Sequence, residues 1–287
     1  MKIASIFEKK DTIFSFEVFP PKKTSSIDTI YNTLEELKDL KPDFISVTYG
    51  AGGLEAGNSK TCEIASVIKT KYNIEPVAHL TCVNSDRQQV LAELNSLKEH
   101  NIENILALRG DIVPDIPRKH DFKYASDLIS FIKEHGDFDI AGACYPECHM
   151  EASSFADDIK NLKNKVDCGV SHLISQLFFE NNAFYTFLEK LEIADIKVPV
   201  EAGIMPVVNK SQIERMVSMC GASLPAKFVK VMQRFGDNPE ALRDAGIAYA
   251  VDQIVDLISQ GVDGIHLYTM NNPYVARKIS EAVSSLL

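Results

Sequence analysis

Asn104-Ile105-Leu106-Ala107-Leu108-Arg109-Gly110-Asp111 decides how this chain folds. A short apolar run of this kind reads as a strand buried on both faces. Arg109 and Asp111 cannot follow it into a core unless they are paired or solvated, so the strand ends at a rim. Gly110 lets the backbone come close to something there. The pattern repeats along the chain. Phe14–Phe19 is stopped by Pro20-Pro21, Phe44–Val47 runs into Thr48-Tyr49-Gly50-Ala51, and Pro76-Val77-Ala78 leads to His79-Leu80-Thr81. Ile140–Ala143 precedes Tyr145-Pro146-Glu147 and His149, and Leu173–Ser175 ends in Gln176. Val198–Gly203 leads into Ile204-Met205-Pro206, and Gly264–Leu267 ends in Tyr268-Thr269.

Between these strands, apolar residues recur at helical spacing, as in Ile27, Ile30, Tyr31, Leu34, Leu37 and Leu40. Helical patterns also fill Ser211 to about Gln260. Strands alternating with helices at intervals of about thirty residues demand parallel pairing with right-handed crossovers. Eight such units close into an α/β fold, the (β/α)8 TIM barrel, read as a single domain over residues 1–287. Its site belongs at the C-terminal ends of the strands. An open doubly wound sheet would want a glycine-rich phosphate loop, and Gly50-Ala51-Gly52-Gly53 lacks the required spacing.

Bulk properties narrow the function. The 287 residues are 45% hydrophobic and 24% charged, which is ordinary globular composition with enough chain for a large core. A formal net charge of −10 argues against nucleic acid as a partner. No apolar run reaches membrane-spanning length, and Met1 to Asp11 carries no signal-peptide core. The six cysteines, Cys144 and Cys148 included, fall at no metal-ligand or disulfide spacing, so a reducing cytoplasm and no metal are expected.

A closed barrel would gather Glu17, Thr48, Tyr49, His79, Arg109, Asp111, Tyr145 and Gln176 at one mouth. Glu17 stands out as a carboxylate among aromatics and valine, costly to bury as a charge. Burial there would favour its protonated form, the condition for a general acid at neutral pH. The alternative is an outward-facing residue on a half-exposed strand, since Ser15 and Glu17 share a face. No Ser-His-Asp set, HExxH or paired-cysteine metal site stands beside these residues. The chemistry then rests on a carboxylic acid and a bound cofactor.

Several segments together resemble the methylenetetrahydrofolate reductase family. They are Phe16-Glu17-Val18-Phe19-Pro20-Pro21, Ser46-Val47-Thr48-Tyr49-Gly50-Ala51, His79-Leu80-Thr81-Cys82 and Ala107-Leu108-Arg109-Gly110-Asp111. Tyr124-Ala125-Ser126-Asp127-Leu128, Tyr145-Pro146-Glu147, Lys165-Val166-Asp167-Cys168-Gly169 and Ser175-Gln176-Leu177-Phe178-Phe179 follow in the family's order. The resemblance implies an FAD-dependent barrel of bacterial type that reduces 5,10-methylenetetrahydrofolate to 5-methyltetrahydrofolate. NADH or NADPH would donate the electrons in a ping-pong cycle that feeds methionine synthesis. It implies Glu17 as the acid that protonates the folate N5, and Asp111 beside the flavin and pterin. FAD contacts are implied at Thr48, Tyr49, Ala51, His79, Arg109, Gly110, Asp111, Tyr124, Tyr145, His149, Asp158, Asn161 and Lys165. Folate contacts are implied at Glu17, Thr48, Asp111, Gln176 and Gln212.

Three positions depart from the family's bacterial pattern: Met216 for a stacking aromatic, Asn164 for a basic residue, and Asn272 for an arginine, with Arg277 one helical turn along open to two readings, a substitute for that arginine or a surface residue. The family's eukaryotic regulatory domain is not expected in a chain of this length. A homo-oligomer is expected. Two other readings compete: another FAD barrel of the proline dehydrogenase kind, and a flavin- or folate-binding subunit that takes electrons from a partner protein.

Overall fold

A computed structural model gives the fold, describing residues 1–21, 24–49, 57–112, 119–210, 213, 216, 217 and 220–287. Eight strands form one closed parallel barrel in chain order: β1 Ile13–Val18, β2 Phe44–Val47, β3 Glu75–Thr81, β4 Asn104–Leu108, β5 Asp139–Cys144, β6 His172–Ser175, β7 Val200–Ile204 and β8 Gly264–Tyr268. The ring closes where β1 pairs with β8, with Ser15 opposite His266 and Glu17 opposite Tyr268. The expected α/β barrel is the fold observed. β7 starts two residues later than the apolar run suggests, because Pro199 has no N–H to give the ladder. Its carbonyl instead accepts the Leu173 N–H at 2.8 Å.

Alternation divides each strand between two cores. Phe14, Phe16 and Val18 of β1 face the helical layer, as do Ile105 and Ala107 of β4. In that layer Ile30, Leu34 and Leu37 of the helix Asp28–Leu37 present the stripe anticipated from their spacing. Helices Ala226–Phe235 and Pro239–Ser259 occupy much of the region read as helical between Ser211 and Gln260. The smaller core lies inside the barrel, built from Ile13, Phe44, Val77, Leu106, Ala141 and Ile174. Ile3 and Ile6, on the N-terminal segment, close it from below.

That lower closure uses polar strand starts. The Ile3 N–H donates to Asn104 Oδ1 at 2.9 Å and the Ala4 N–H to Asp139 Oδ2 at 2.8 Å. Asn104 also donates to the carbonyls of Met1 and Pro76. Polar residues that open β4 and β5 thus tie down a segment whose sequence showed only that it was short and charged.

Asn272, one of the three departures, acquires a local role. It caps the helix Pro273–Val283, its Oδ1 accepting the Val275 N–H at 3.2 Å, with Pro273 at the first helical position. An arginine cannot accept that bond. Asn272→Ala is expected to lower stability by about 1 kcal/mol, read as a shifted urea midpoint at unchanged slope. A change within error would mean the helix end is held by packing alone.

Candidate active site

The C-terminal ends of the strands open into a cavity of about 530 Å³, a size in the range of small-molecule sites. Glu17, Thr48, Tyr49, His79, Arg109, Gly110, Asp111, Tyr145, His149 and Gln176 line it. The rim chemistry read strand by strand therefore converges in one place. Gly110 adopts φ +85°, and a Cβ there would lie 3.0 Å from Thr81, so the tight passage does need glycine.

Other expected positions lie elsewhere. Tyr124 is 52% exposed at the start of the helix Ala125–His135, away from the cavity lining. Asn161 is exposed on the helix Phe155–Asp167. Asp158, on the same helix, accepts the His149 N–H at 3.0 Å and so holds a cavity residue from behind. Lys165 points inward and donates to the Ala143 carbonyl, and burial draws its pKa down. Ala51 and Gln212 lie outside the described residues. Met216 lines the cavity, where a polarisable thioether can cover a ring. Asn164 is exposed, and Arg277 donates to the Glu36 carbonyl at 2.9 Å on the outer layer, so it does not serve the mouth.

Sequence reasoning missed Val83, Asn84 and Ser85 beyond β3, and the apolar wall of Leu177, Met205 and Met270. The signal available was the strand-end rule itself, extended a few residues past each rim. Asn84 matters most here. Its Oδ1 and the Nε2 of His79 are buried polar atoms with no hydrogen-bond partner among the described residues. Such atoms are expensive to leave unpaired, and both sit on the cavity wall, which suits a ligand that presents polar edges.

Glu17 settles its own ambiguity. Ser15 and Glu17 do share a face, and that face is the barrel interior, while the neighbouring aromatics turn outward. The Glu17 side chain is 19% exposed at the cavity floor, so burial is incomplete. Its Oε2 lies 3.6 Å from His79 Nε2 and 3.8 Å from His266 Nε2. Burial pulls His79 down to about 4, opposed by the nearby Glu17 charge, so a neutral imidazole faces the carboxyl near pH 7. At the rim, Arg109 forms a two-pronged pair with Glu151 at 2.6 and 2.7 Å. Gln176 Oε1 accepts the Leu177 N–H at 2.9 Å, which fixes its amide with the NH₂ end free of that bond. Burial pushes the Tyr145 phenol up to about 12, so it stays a neutral donor.

The fully buried carboxyl is Glu201 of β7, which the sequence reading passed over. Desolvation raises it to about 7 from 4.5, offset in part by His266 and the Ser15 hydroxyl. A folded-state pKa above the unfolded one means that ionisation costs stability. Glu201's contribution is whole below 4.5 and is lost as pH rises through 7. His172 runs the other way: burial lowers it from 6.5 to about 4, so its contribution is lost as pH falls across that window. Glu201→Gln removes only the first effect. Its stability relative to the native chain is expected to grow from pH 4.5 to pH 7 and then level off, measured by urea melts across that range. A pH-independent difference would place Glu201 outside the buried interior.

All six cysteines are free, and burial pushes Cys82 and Cys144 up to about 12. Among the described residues no group of three His, Cys, Asp or Glu could hold a metal, and no helix is long and apolar enough to cross a membrane.

Comparison with known proteins converges on one family. A family model described as methylenetetrahydrofolate reductase matches residues 2–284. A 5,10-methylenetetrahydrofolate reductase of Pectobacterium carotovorum is 37% identical over 90% of this chain and 85% of its own. The enzyme of that name from Escherichia coli is 36% identical over 90% of this chain and 86% of its own. Among solved structures, a Clostridium thermocellum protein described as binding two copies of 5-methyl-5,6,7,8-tetrahydrofolic acid superposes with a TM-score of 0.67 at 14% identity. It covers 100% of this chain and 99% of its own, a likeness of fold.

Proposed function

The chain belongs to the methylenetetrahydrofolate reductase family, and from that premise we propose that it reduces 5,10-methylenetetrahydrofolate to 5-methyltetrahydrofolate, with FAD held in the barrel mouth and NADH or NADPH as donor. The observation that carries this reading is the convergence of Glu17, Gln176 and the unpartnered His79 Nε2 on one cavity. When bound, FAD supplies two-electron transfer between nucleotide and folate, leaving orientation and proton handling to the protein.

The cavity residues fit that division. His79 and Asn84 offer unpaired polar atoms to a ring edge, and Tyr49, Tyr145 and His149 offer flat surfaces beside it. Thr48, Gly110 and Asp111 complete the near wall, and Tyr124, Asn161, Lys165 and Ala51, the last outside the described residues, are proposed as further cofactor contacts. Asp158 acts through the His149 backbone that it holds. Arg109 is kept at the rim by the exposed carboxylate of Glu151, which an arriving diphosphate can displace. Glu17 is the group that delivers a proton to the folate N5 from the cavity floor. The NH₂ end of Gln176, free of the Leu177 bond, can bind the pterin, and Asp111 and Gln212, the latter outside the described residues, are proposed as further folate contacts. The acid acts in the step that opens the five-membered ring, with His79, kept neutral by burial, facing it at 3.6 Å.

Purified protein is expected to show flavin absorbance that bleaches anaerobically with NADH or NADPH and returns on adding methylenetetrahydrofolate. Because one mouth serves both substrates, initial-rate lines should be parallel. Intersecting lines would rule out a shared site, and colourless folded protein would remove FAD from the reading. A cytoplasmic setting and a self-associating protein complete the proposal.

A further inference from the structure

A line of polar side chains runs through the barrel interior beneath Glu17, where packing alone would favour apolar residues. Glu201, fully buried, has Oε2 2.5 Å from Ser15 Oγ. Ser15 Oγ lies 2.7 Å from His266 Nδ1, and His266 Nε2 lies 3.8 Å from Glu17 Oε2. Four groups on β7, β1 and β8 thus join the sealed interior to the cavity floor. Room for the first of them comes from Gly264, where a Cβ would sit 2.8 Å from Glu201 Cγ.

The arrangement is costly. Glu201 Oε1 and His172 Nε2 are buried without partners among the described residues, 3.9 Å apart. A carboxyl with half its acceptors unmet destabilises a core that an isosteric apolar side chain would fill.

The geometry points to Glu201 as a proton reservoir for Glu17, connected through Ser15 and His266. This rests on the reading of Glu17 as the acid. The transfer balances: Glu201 O–H donates to Ser15 Oγ, the Ser15 hydroxyl proton passes to His266 Nδ1, and His266 Nε2–H passes its proton to the Glu17 carboxylate. One proton moves, Glu201 is left ionised, Glu17 is left protonated, and both heterocycle and hydroxyl end neutral. The last gap exceeds a hydrogen bond by about 1 Å, and His266 Nε2 meets Ser46 Oγ at 3.4 Å, so the transfer requires the Glu17 side chain to rotate toward His266. The groups facing Glu201 are His266, His172, Asp43 and Asp263, and those facing Glu17 are His79, His266 and Tyr268. Burial sets Glu201 at about 7, so the reservoir is loaded below that pH and empty above it. Glu201 and Ser15 act through Glu17 and are positioning residues.

The test compares Glu201→Gln and Ser15→Ala with the native holoenzyme in the two half-reactions. Below pH 7 both variants should slow folate reduction by on the order of tenfold, less than loss of the acid itself because solvent remains a second donor. Above pH 7.5 or so they should converge with the native enzyme, and bleaching by nucleotide should be unaffected at every pH. Infrared difference spectra supply a readout independent of turnover. A protonated-carboxyl component assigned to Glu201 by its loss in Glu201→Gln should be present at pH 6 and weaken on folate binding only when Ser15 is in place. A rate loss that is uniform in pH, a band that ignores folate in the native protein, or a normal Ser15→Ala variant would each overturn the reservoir. Full folate reduction by Glu17→Gln would instead overturn the acid assignment beneath it.

Discussion

Glu17→Gln is expected to cut folate reduction by about 10²–10⁴-fold while bleaching by nucleotide stays near native, because the substitution keeps volume and removes the proposed proton donor. The side chain reaches the cavity from below with His79 at 3.6 Å and His266 at 3.8 Å, so the amide can occupy the same place without rearrangement. Only the step that needs a proton at the folate should respond. Single-turnover absorbance in each half-reaction separates the outcomes. A parallel fall in both would mean that Glu17 shapes the cavity and donates nothing. A fall confined to nucleotide oxidation would put the acid at another residue.

Phe44→Ala should cost about 3–5 kcal/mol, the range for emptying a fully buried aromatic site. Phe44 is fully buried inside the barrel, stacked on His266 at 6.0 Å and edge-on to His172 at 6.3 Å. Strands on every side hold the interior open, so collapse around the void is limited. The same ring supports the His266 imidazole that meets Ser15 and, at 3.4 Å, Ser46. Stability and folate reduction should therefore decline together, unlike in Glu17→Gln, where stability is spared. Chemical denaturation measures the first effect. A loss below 1 kcal/mol or so would show an interior that relaxes freely and would weaken any argument from its polar geometry.

The strand-to-rim pattern of Asn104–Asp111, repeated eight times, was enough to determine the barrel and its mouth. The reason is that parallel strands buried on both faces are predominantly apolar, so their ends are marked where Arg109, Thr48 or Gln176 breaks the run. Those same polar endings are the cavity wall, which is why much of the candidate site was legible without coordinates. Tyr124 and Asn161 were named from resemblance, and the folded chain places them away from that wall.

What only the tertiary structure decided is the interior. Alternation shows that Ser15 and Glu17 share a face and cannot tell inside from outside when both faces of a strand are buried. Closure of β1 on β8 turned that face inward and brought Glu201, distant in sequence, within 2.5 Å of Ser15. His266 and Glu201 read as ordinary strand residues, and His172 lies outside the strand read from Leu173, because their partners arrive from other strands. The N-terminal plug is similar, since Ile3 has meaning only beside Asn104 and Asp139. Local pattern thus determines where a strand runs and ends, while side-chain pairing across a barrel depends on register and closure, which no single stretch encodes.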